Sequence, residues 1–210
     1  ALSFFFFFPF IGWLLKKSFA FESPLLQTEF CGMSAKNPVG LAAGFDKNAN
    51  WLELLCVLGF GHIEVGTVTP LPQNGNPKPR LFRLKRDHSI INRMGFNNDG
   101  LVHLKKRLAA FKKPQGLIIG GNIGKNKLTP DEDTIGDYLC CFRELFDYVD
   151  YFTINVSSPN TPGLRKLQDK KPLHALLSAI QKANQQQAQP KPILLKIAPD
   201  LDYQGLDDVL

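Results

Sequence analysis

The sequence predicts an α/β fold built on a parallel sheet. Five short apolar, β-rich runs recur along the 210 residues, and helical patterns separate them. Strand alternating with helix argues a parallel sheet. The runs are also nearly apolar throughout, as strands covered on both faces are. An open doubly wound sheet and a closed barrel both satisfy these observations.

The first run, "NPVGLAAG" (37–44), leads into "NANWLELLCVLG", which reads as a helix stopped by Gly59. The second run is "GHIEVGTV" (61–68). The interval to the third run is longer than one crossover needs. It holds "PRLFRLKRDHSIINRMGFNNDG", an excursion above the sheet before the helix "LVHLKKRLAAF". Excursions of that length are more often functional than idle. After the third run, "GLIIGGNI" (116–123), the stretch "GDYLCCFRELFDYV" places Tyr138, Leu139, Phe142, Leu145, Phe146 and Val149 on one helical face. The fourth run is "DYFTINVS" (150–157). "PLHALLSAIQKANQQQ" then repeats the helical pattern with Leu173, Leu176, Leu177 and Ile180, and Pro172 suits its first turn. The fifth run, "PILLKIAP" (192–199), is followed by the helix-like "YQGLDDVL".

Composition sets outer bounds. The chain is 44% hydrophobic and 21% charged, ordinary for a globular protein with one sizeable core. Lys and Arg number 25 against 19 Asp and Glu, a net charge of +6. That mild excess suits anionic ligands such as phosphates, carboxylates or lipid headgroups. No Lys/Arg run with interleaved aromatics occurs, so nucleic acid is not an expected partner. Cys31, Cys56, Cys140 and Cys141 form no C-x-x-C pair, which argues against a zinc site or disulfide framework and makes a reducing cytoplasm the default.

The stretch "LSFFFFFPFIGWLLKK" is apolar over 4–15 and then carries two lysines. A membrane span needs roughly 20 residues, and a signal peptide carries its positive charge before the apolar run. Pro9 and Gly12 weaken a continuous helix. Phe and Trp beside Lys suit a segment lying in the membrane interface; a truncated span or an apolar leader is the alternative. The first residue is Ala, and Leu210 falls inside a helical pattern, so the sequence is expected to be a piece of a longer chain.

Ligands of parallel α/β folds bind beyond the C-terminal ends of the strands. In order, those ends are "AAGFDKN", "GTVTP", "GNIGKNK", "NVSSPNTPG" and "KIAPD". Each consists mostly of small residues, amides, hydroxyls or lysine, which together form a candidate shared floor. The small residues of "AAG" let a flat ligand approach the backbone. "GGNIGKNK" is not a P-loop, because Asn126 stands where Ser or Thr is needed, and "GFGHIEVG" is not a dinucleotide fingerprint.

Lys196 is the sharpest single residue. Within "ILLKIA" a buried ammonium needs an anionic partner, unless it points outward and snorkels past a helix. Lys47 follows a sharp "GFD" turn, where a solvated loop lysine is the plainer reading. Asn92, Asn155 and Asn160 present donors and acceptors together, which suits the edge of a pyrimidine or flavin ring; turn capping is the plainer reading of each. His62, His88, His103 and His174 sit in no Ser–His–Asp arrangement, and paired carboxylates for glycoside chemistry are missing from the strand ends.

With these residues assembled, the chain resembles the dihydroorotate dehydrogenases, specifically the class 2, quinone-linked type, over residues 22–210. The motifs that carry the resemblance are "NPVGLAAGFDKN", "VGTVTPLPQNGNPKPRLFRL", "INRMGFNN", "NIGKNK", "INVSSPNTPGLR" and "LLKIAPDL". The resemblance implies a TIM barrel, of which about five of eight strands are present. It implies a membrane-associating segment over 1–23 and an FMN-binding barrel domain over 24–210, incomplete at its C-terminal end.

The resemblance also implies the chemistry. The family oxidises (S)-dihydroorotate to orotate in pyrimidine biosynthesis, with FMN as hydride acceptor. A membrane quinone would be the final acceptor, and the protein would sit peripherally on the cytoplasmic side of the inner membrane. Ser158 would be the catalytic base, where class 1 relatives carry cysteine. A serine hydroxyl is a poor base near neutral pH, so it must hand its proton on through water or another hydroxyl.

Ala43, Gly44, Phe45, Asp46, Lys47, Thr67, Asn122, Asn155 and Lys196 would line FMN, with Lys196 stabilising its anionic reduced form. Lys47 would meet the substrate carboxylate, joined by Asn92, Arg93, Met94, Gly95 and Phe96. Asn155 and Asn160 would bind the pyrimidine edges, and no metal is implied. Pro159 and Pro162 would stiffen their loop, while Ser157 has no assigned role.

The family's later substrate and FMN-phosphate loops are not among these 210 residues, so this stretch alone is expected to hold FMN poorly and to be inactive. The nearest alternative is a class 1-type or other FMN-dependent barrel using a soluble acceptor such as fumarate or NAD. Ser158 and the apolar N-terminus argue against it. A non-catalytic membrane-surface protein would leave the polar strand ends unexplained.

Overall fold

Apolar alternation and amphipathic helices set the architecture. The computed structural model describes residues 9–210, and the "FFFFF" part of the expected membrane-associating segment lies outside them. Among the described residues, helix α1 (Pro9–Phe19) comes first. Pro9 opens it, where a missing N–H is harmless, and Gly12 lies within it, so neither residue breaks it as their type predicts. No helix of the described residues is long and apolar enough to cross a membrane. The antiparallel hairpin β1 (Thr28–Phe30) and β2 (Met33–Ala35) follows.

The main sheet is parallel. It consists of β3 (Gly40–Leu41), β4 (His62–Val68), β7 (Ile118–Ile123), β8 (Tyr151–Asn155) and β9 (Ile193–Lys196), in that spatial order. Helices α2 (Leu52–Val57), α3 (Leu101–Ala110), α4 (Thr134–Leu145) and α5 (Lys170–Gln185) connect them, and α6 (Tyr203–Val209) follows β9. Spatial order equals chain order, so every crossover steps the same way. A doubly wound sheet reverses at a switch point and a barrel does not. The sheet is the N-terminal portion of a TIM barrel. Between β4 and α3, the long excursion contains a second antiparallel hairpin, β5 (Leu81–Leu84) with β6 (Ser89–Asn92).

Side chains alternate across the parallel strands. Ile63, Val65, Ile119, Ile123, Phe152 and Ile154 pack in the core shared with the helices. There Phe142 of α4 lies 4.5 Å from Phe152 and 5.5 Å from Phe146, ring centre to ring centre. Tilted and edge-on pairs of this kind add to the gain from area burial.

The inner face differs from expectation. Near the N-terminal ends of the strands, Ile118, Tyr151 and Leu194 form a separate apolar cluster with Phe30, Met33 and Ala35 of the first hairpin. Toward the C-terminal ends the inner face turns polar, with Glu64, Asn122, Thr153 and Asn155 bonded to one another. The strands are therefore not apolar on both faces. Gly120 makes room for this arrangement: a Cβ there would lie 2.1 Å from the Tyr151 ring, which crosses it so that its hydroxyl reaches Glu64 at 3.0 Å.

Candidate active site

The loop after β3 is held by Asp46. Its buried carboxylate accepts from the backbone N–H groups of Asn50 and Trp51, both at 2.8 Å. That turn carries Lys47, and the Gly44 N–H ties the loop to the Gly66 carbonyl at 2.8 Å. Gly66 has φ +107°, and a Cβ on it would lie 2.3 Å from the Asn122 carbonyl oxygen. Only glycine permits both the angle and the approach. Beside it, Thr67 Oγ1 donates to Asn122 Oδ1 at 2.5 Å.

Asn155 ends β8 and is fully engaged. Its Nδ2 donates to Thr67 Oγ1 (2.8 Å) and Asn122 Oδ1 (3.1 Å). Its Oδ1 accepts from the backbone N–H of Ser157 (3.1 Å) and the Ser157 hydroxyl (2.9 Å). In the same loop Ser158 Oγ accepts from the Asn160 backbone N–H at 3.2 Å. Asn160 Nδ2 reaches the Asn92 carbonyl at 3.2 Å, closing this loop against the second hairpin.

The loop 92–96 is braced from below. Phe96 is buried with φ +52°, uncommon for a bulky residue and a sign of local strain. Gln73 Nε2 donates to the carbonyls of Gly95 (3.3 Å) and Phe96 (3.1 Å), and Asn98 Nδ2 to that of Phe96 at 2.7 Å. Asn126 Nδ2 in turn fixes Gln73 through its Oε1 at 3.0 Å. Gln73→Ala is expected to remove about 1–3 kcal/mol of local stability. Amide hydrogen exchange over 93–97 would quicken selectively, and unchanged exchange would count against this brace.

These loops enclose a cavity of about 550 Å³, within the usual range for small-ligand sites. Ala43, Gly44, Lys47 and Thr67 line one side. Asn92, Met94, Gly95 and Phe96 line the next, and Asn155, Ser158, Asn160, Arg165 and Lys196 are among those that complete it. Four candidate residues lie off the wall. Phe45 is 69% exposed, Asp46 acts as the turn anchor, and Arg93 is exposed with its backbone paired to Arg80. Asn122 is fully buried one layer below, reached through Thr67 and Asn155.

The charged residues on the wall are cations: Lys47, Arg165 and Lys196. Burial, then the neighbouring charges of Arg80 and Lys196, hold the Lys47 ammonium below the ordinary lysine range. Lys196 faces the cavity but is exposed rather than buried, because β9 is the edge of the sheet and pairs only with β8.

Comparison with known proteins decides the family. A profile described as Dihydroorotate dehydrogenase matches residues 25–209. The chain belongs to the dihydroorotate dehydrogenase family. Among its relatives is a dihydroorotate dehydrogenase (quinone) from Christiangramia forsetii, 59% identical over 196 residues, covering 93% of this chain and 57% of the relative. Another, from a Synechococcus species, is 51% identical over 196 residues, covering 93% of this chain and 50% of the relative. A DHODH from Eimeria tenella solved in complex with ferulenol superposes with a TM-score of 0.82 at 38% identity, covering 95% of this chain and 60% of that one. The chain thus spans about half the length of the curated relatives it matches.

For this dihydroorotate dehydrogenase family member, the sequence reading passes over several residues that shape the cavity. Ser157 anchors Asn155, and Arg165 holds the same loop through Nε to the Ser157 carbonyl (3.3 Å) and Nη1 to Asp200 (2.9 Å). Gln73 and Asn126 show no local signal, because the partners of their side-chain amides lie far along the chain, while Asn98 bonds both Phe96 nearby and Thr69 far away. Glu64 did carry one: an acid inside an apolar strand raises the same question as Lys196.

Proposed function

We propose that this chain forms the ring- and substrate-binding part of a class 2 dihydroorotate dehydrogenase. The reaction is oxidation of (S)-dihydroorotate to orotate in pyrimidine biosynthesis, with a quinone as the final electron acceptor. The observation that carries the reading is that Ser158 and Lys47 line one cavity with Asn92, Asn160 and Lys196.

The residues present fit a flavin. Neutral amides and hydroxyls form the floor, and no carboxylate of the described residues lines the wall. Thr67 and Lys196 would hold the ring of FMN, with Ala43 and Gly44 against it and Asn155 and Asn122 supporting from beneath. When bound, FMN supplies the hydride-accepting centre. Lys47 holds the substrate carboxylate, Asn92 and Asn160 orient the ring, and the braced loop 92–96 keeps water off it.

Ser158 takes the proton. Its Oγ already accepts one backbone N–H, which leaves its own O–H free to pass a proton onward. Thr161, in the same loop, has a buried hydroxyl without a hydrogen-bond partner among the described residues, and it is the candidate receiver.

Helix α1 supports peripheral attachment at the cytoplasmic face of the inner membrane. Phe10, Trp13, Leu14 and Phe19 are exposed on it, and Lys16 and Lys17 occupy its last turn. Aromatic and basic residues together suit the headgroup boundary. The full-length protein is expected to purify with flavin absorbance and to reduce a ubiquinone analogue, not fumarate, when given dihydroorotate. A colourless protein, or preference for fumarate, would overturn the reading.

A further inference from the structure

Among the described residues, Glu64 is the only acid within the strands of the main sheet, and it lines no part of the cavity wall. It is half-buried, and among the described residues it forms no ion pair. Three neutral donors surround its carboxylate instead. Asn122 Nδ2 donates to Oε1 at 2.8 Å, while the Tyr151 hydroxyl (3.0 Å) and the Thr153 hydroxyl (2.8 Å) donate to Oε2. A carboxylate withdrawn from water without a counter-ion is unfavourable unless fully hydrogen-bonded. An apolar residue would fill the same space without that penalty.

The chain of bonds above it explains the choice. Its two ends each work in one direction only: the Ser157 backbone N–H can only donate, and an ionised carboxylate can only accept. Between them, Asn155, Thr67 and Asn122 could each be turned either way. The Ser157 N–H holds Asn155 Oδ1, so Asn155 Nδ2 must face Thr67 and Asn122. Glu64 holds Asn122 Nδ2, so Asn122 Oδ1 must face those same donors. Were Asn122 reversed, its amine would meet the Asn155 amine.

We propose that Glu64 is a positioning residue: its carboxylate sets the direction of the hydrogen bonds in the site floor and places a negative charge beneath the flavin site. This rests on the flavin reading of the cavity. The charge disfavours the anionic reduced flavin and so opposes Lys196, and the two residues set the reduction potential from opposite sides.

The test compares full-length wild type, Glu64→Gln and Tyr151→Phe. In flavin-loaded protein, Glu64→Gln should raise the flavin midpoint potential, by about tenfold in the reduced-to-oxidised ratio, or ~30 mV for a two-electron couple. Tyr151→Phe keeps the charge but removes one donor that neutralises it, and should lower the potential. In flavin-free protein, the side-chain amide NMR signals of Asn122 and Asn155 should shift together in Glu64→Gln. Unchanged potential and unchanged amide signals overturn the proposal. Should Glu64→Gln not fold, an unchanged potential in Tyr151→Phe overturns it alone. Wild type without flavin refutes the flavin reading instead, and the flavin-free signals then still judge the role of Glu64 in the floor.

Discussion

Ser158→Ala in the full-length protein is expected to keep its flavin and to lose dihydroorotate oxidation by about 10²–10⁴-fold, the usual contribution of a positioned base. The side chain is half-buried on the cavity wall and bonded only to the Asn160 N–H. Deleting its hydroxyl opens no core cavity, so stability should change little. Rapid mixing with substrate while following flavin bleaching isolates the affected step. Turnover equal to wild type would remove Ser158 from the role.

Lys47→Ala is expected to lower kcat/KM for dihydroorotate by roughly 10–100-fold, the worth of one charged hydrogen bond. Its pH dependence gives a second signature. Burial, with Arg80 and Lys196 nearby, lowers the pKa of Lys47. The cation proposed to meet the substrate carboxylate is therefore lost at a lower pH than for an ordinary lysine. In wild type, kcat/KM should fall as pH rises through that lowered value, since this parameter reports the free enzyme. Lys47→Arg keeps its charge throughout, so its profile should lack that alkaline fall. Identical alkaline limbs in wild type and Lys47→Arg would assign the titration elsewhere.

The strands and helices were legible because their signal is local. Apolar runs ending in polar loops mark where β4, β7, β8 and β9 stop, and Gly59, with φ +86°, ends the helical turn where expected. Strand order was not legible from periodicity, because stepping in one direction is a property of the whole sheet. The cavity residues were legible as polar strand ends, but their division of labour was not. Asp46 looks like a ligand residue and is a turn anchor. Ser157 looked idle and fixes the Asn155 amide. Whether Lys196 is buried or points outward stayed open because its neighbours in sequence are apolar, while burial depends on a strand beyond β9, and β9 pairs only with β8 here. The second hairpin escaped notice because β6 is exposed throughout and β5 mostly so, which left no clean apolar face to detect.

The cations around the cavity act before any contact is made. Lys47, Arg165 and Lys196 stand on its wall, and Arg80 lies close enough to lower the Lys47 pKa. An approaching carboxylate feels their combined field only within about 8 Å at physiological ionic strength. On the proposed reading, capture would be a short-range funnel: diffusion would bring the anion to the mouth, and the field would then turn it carboxylate-first toward Lys47. Added salt would slow this encounter while leaving the seated geometry intact.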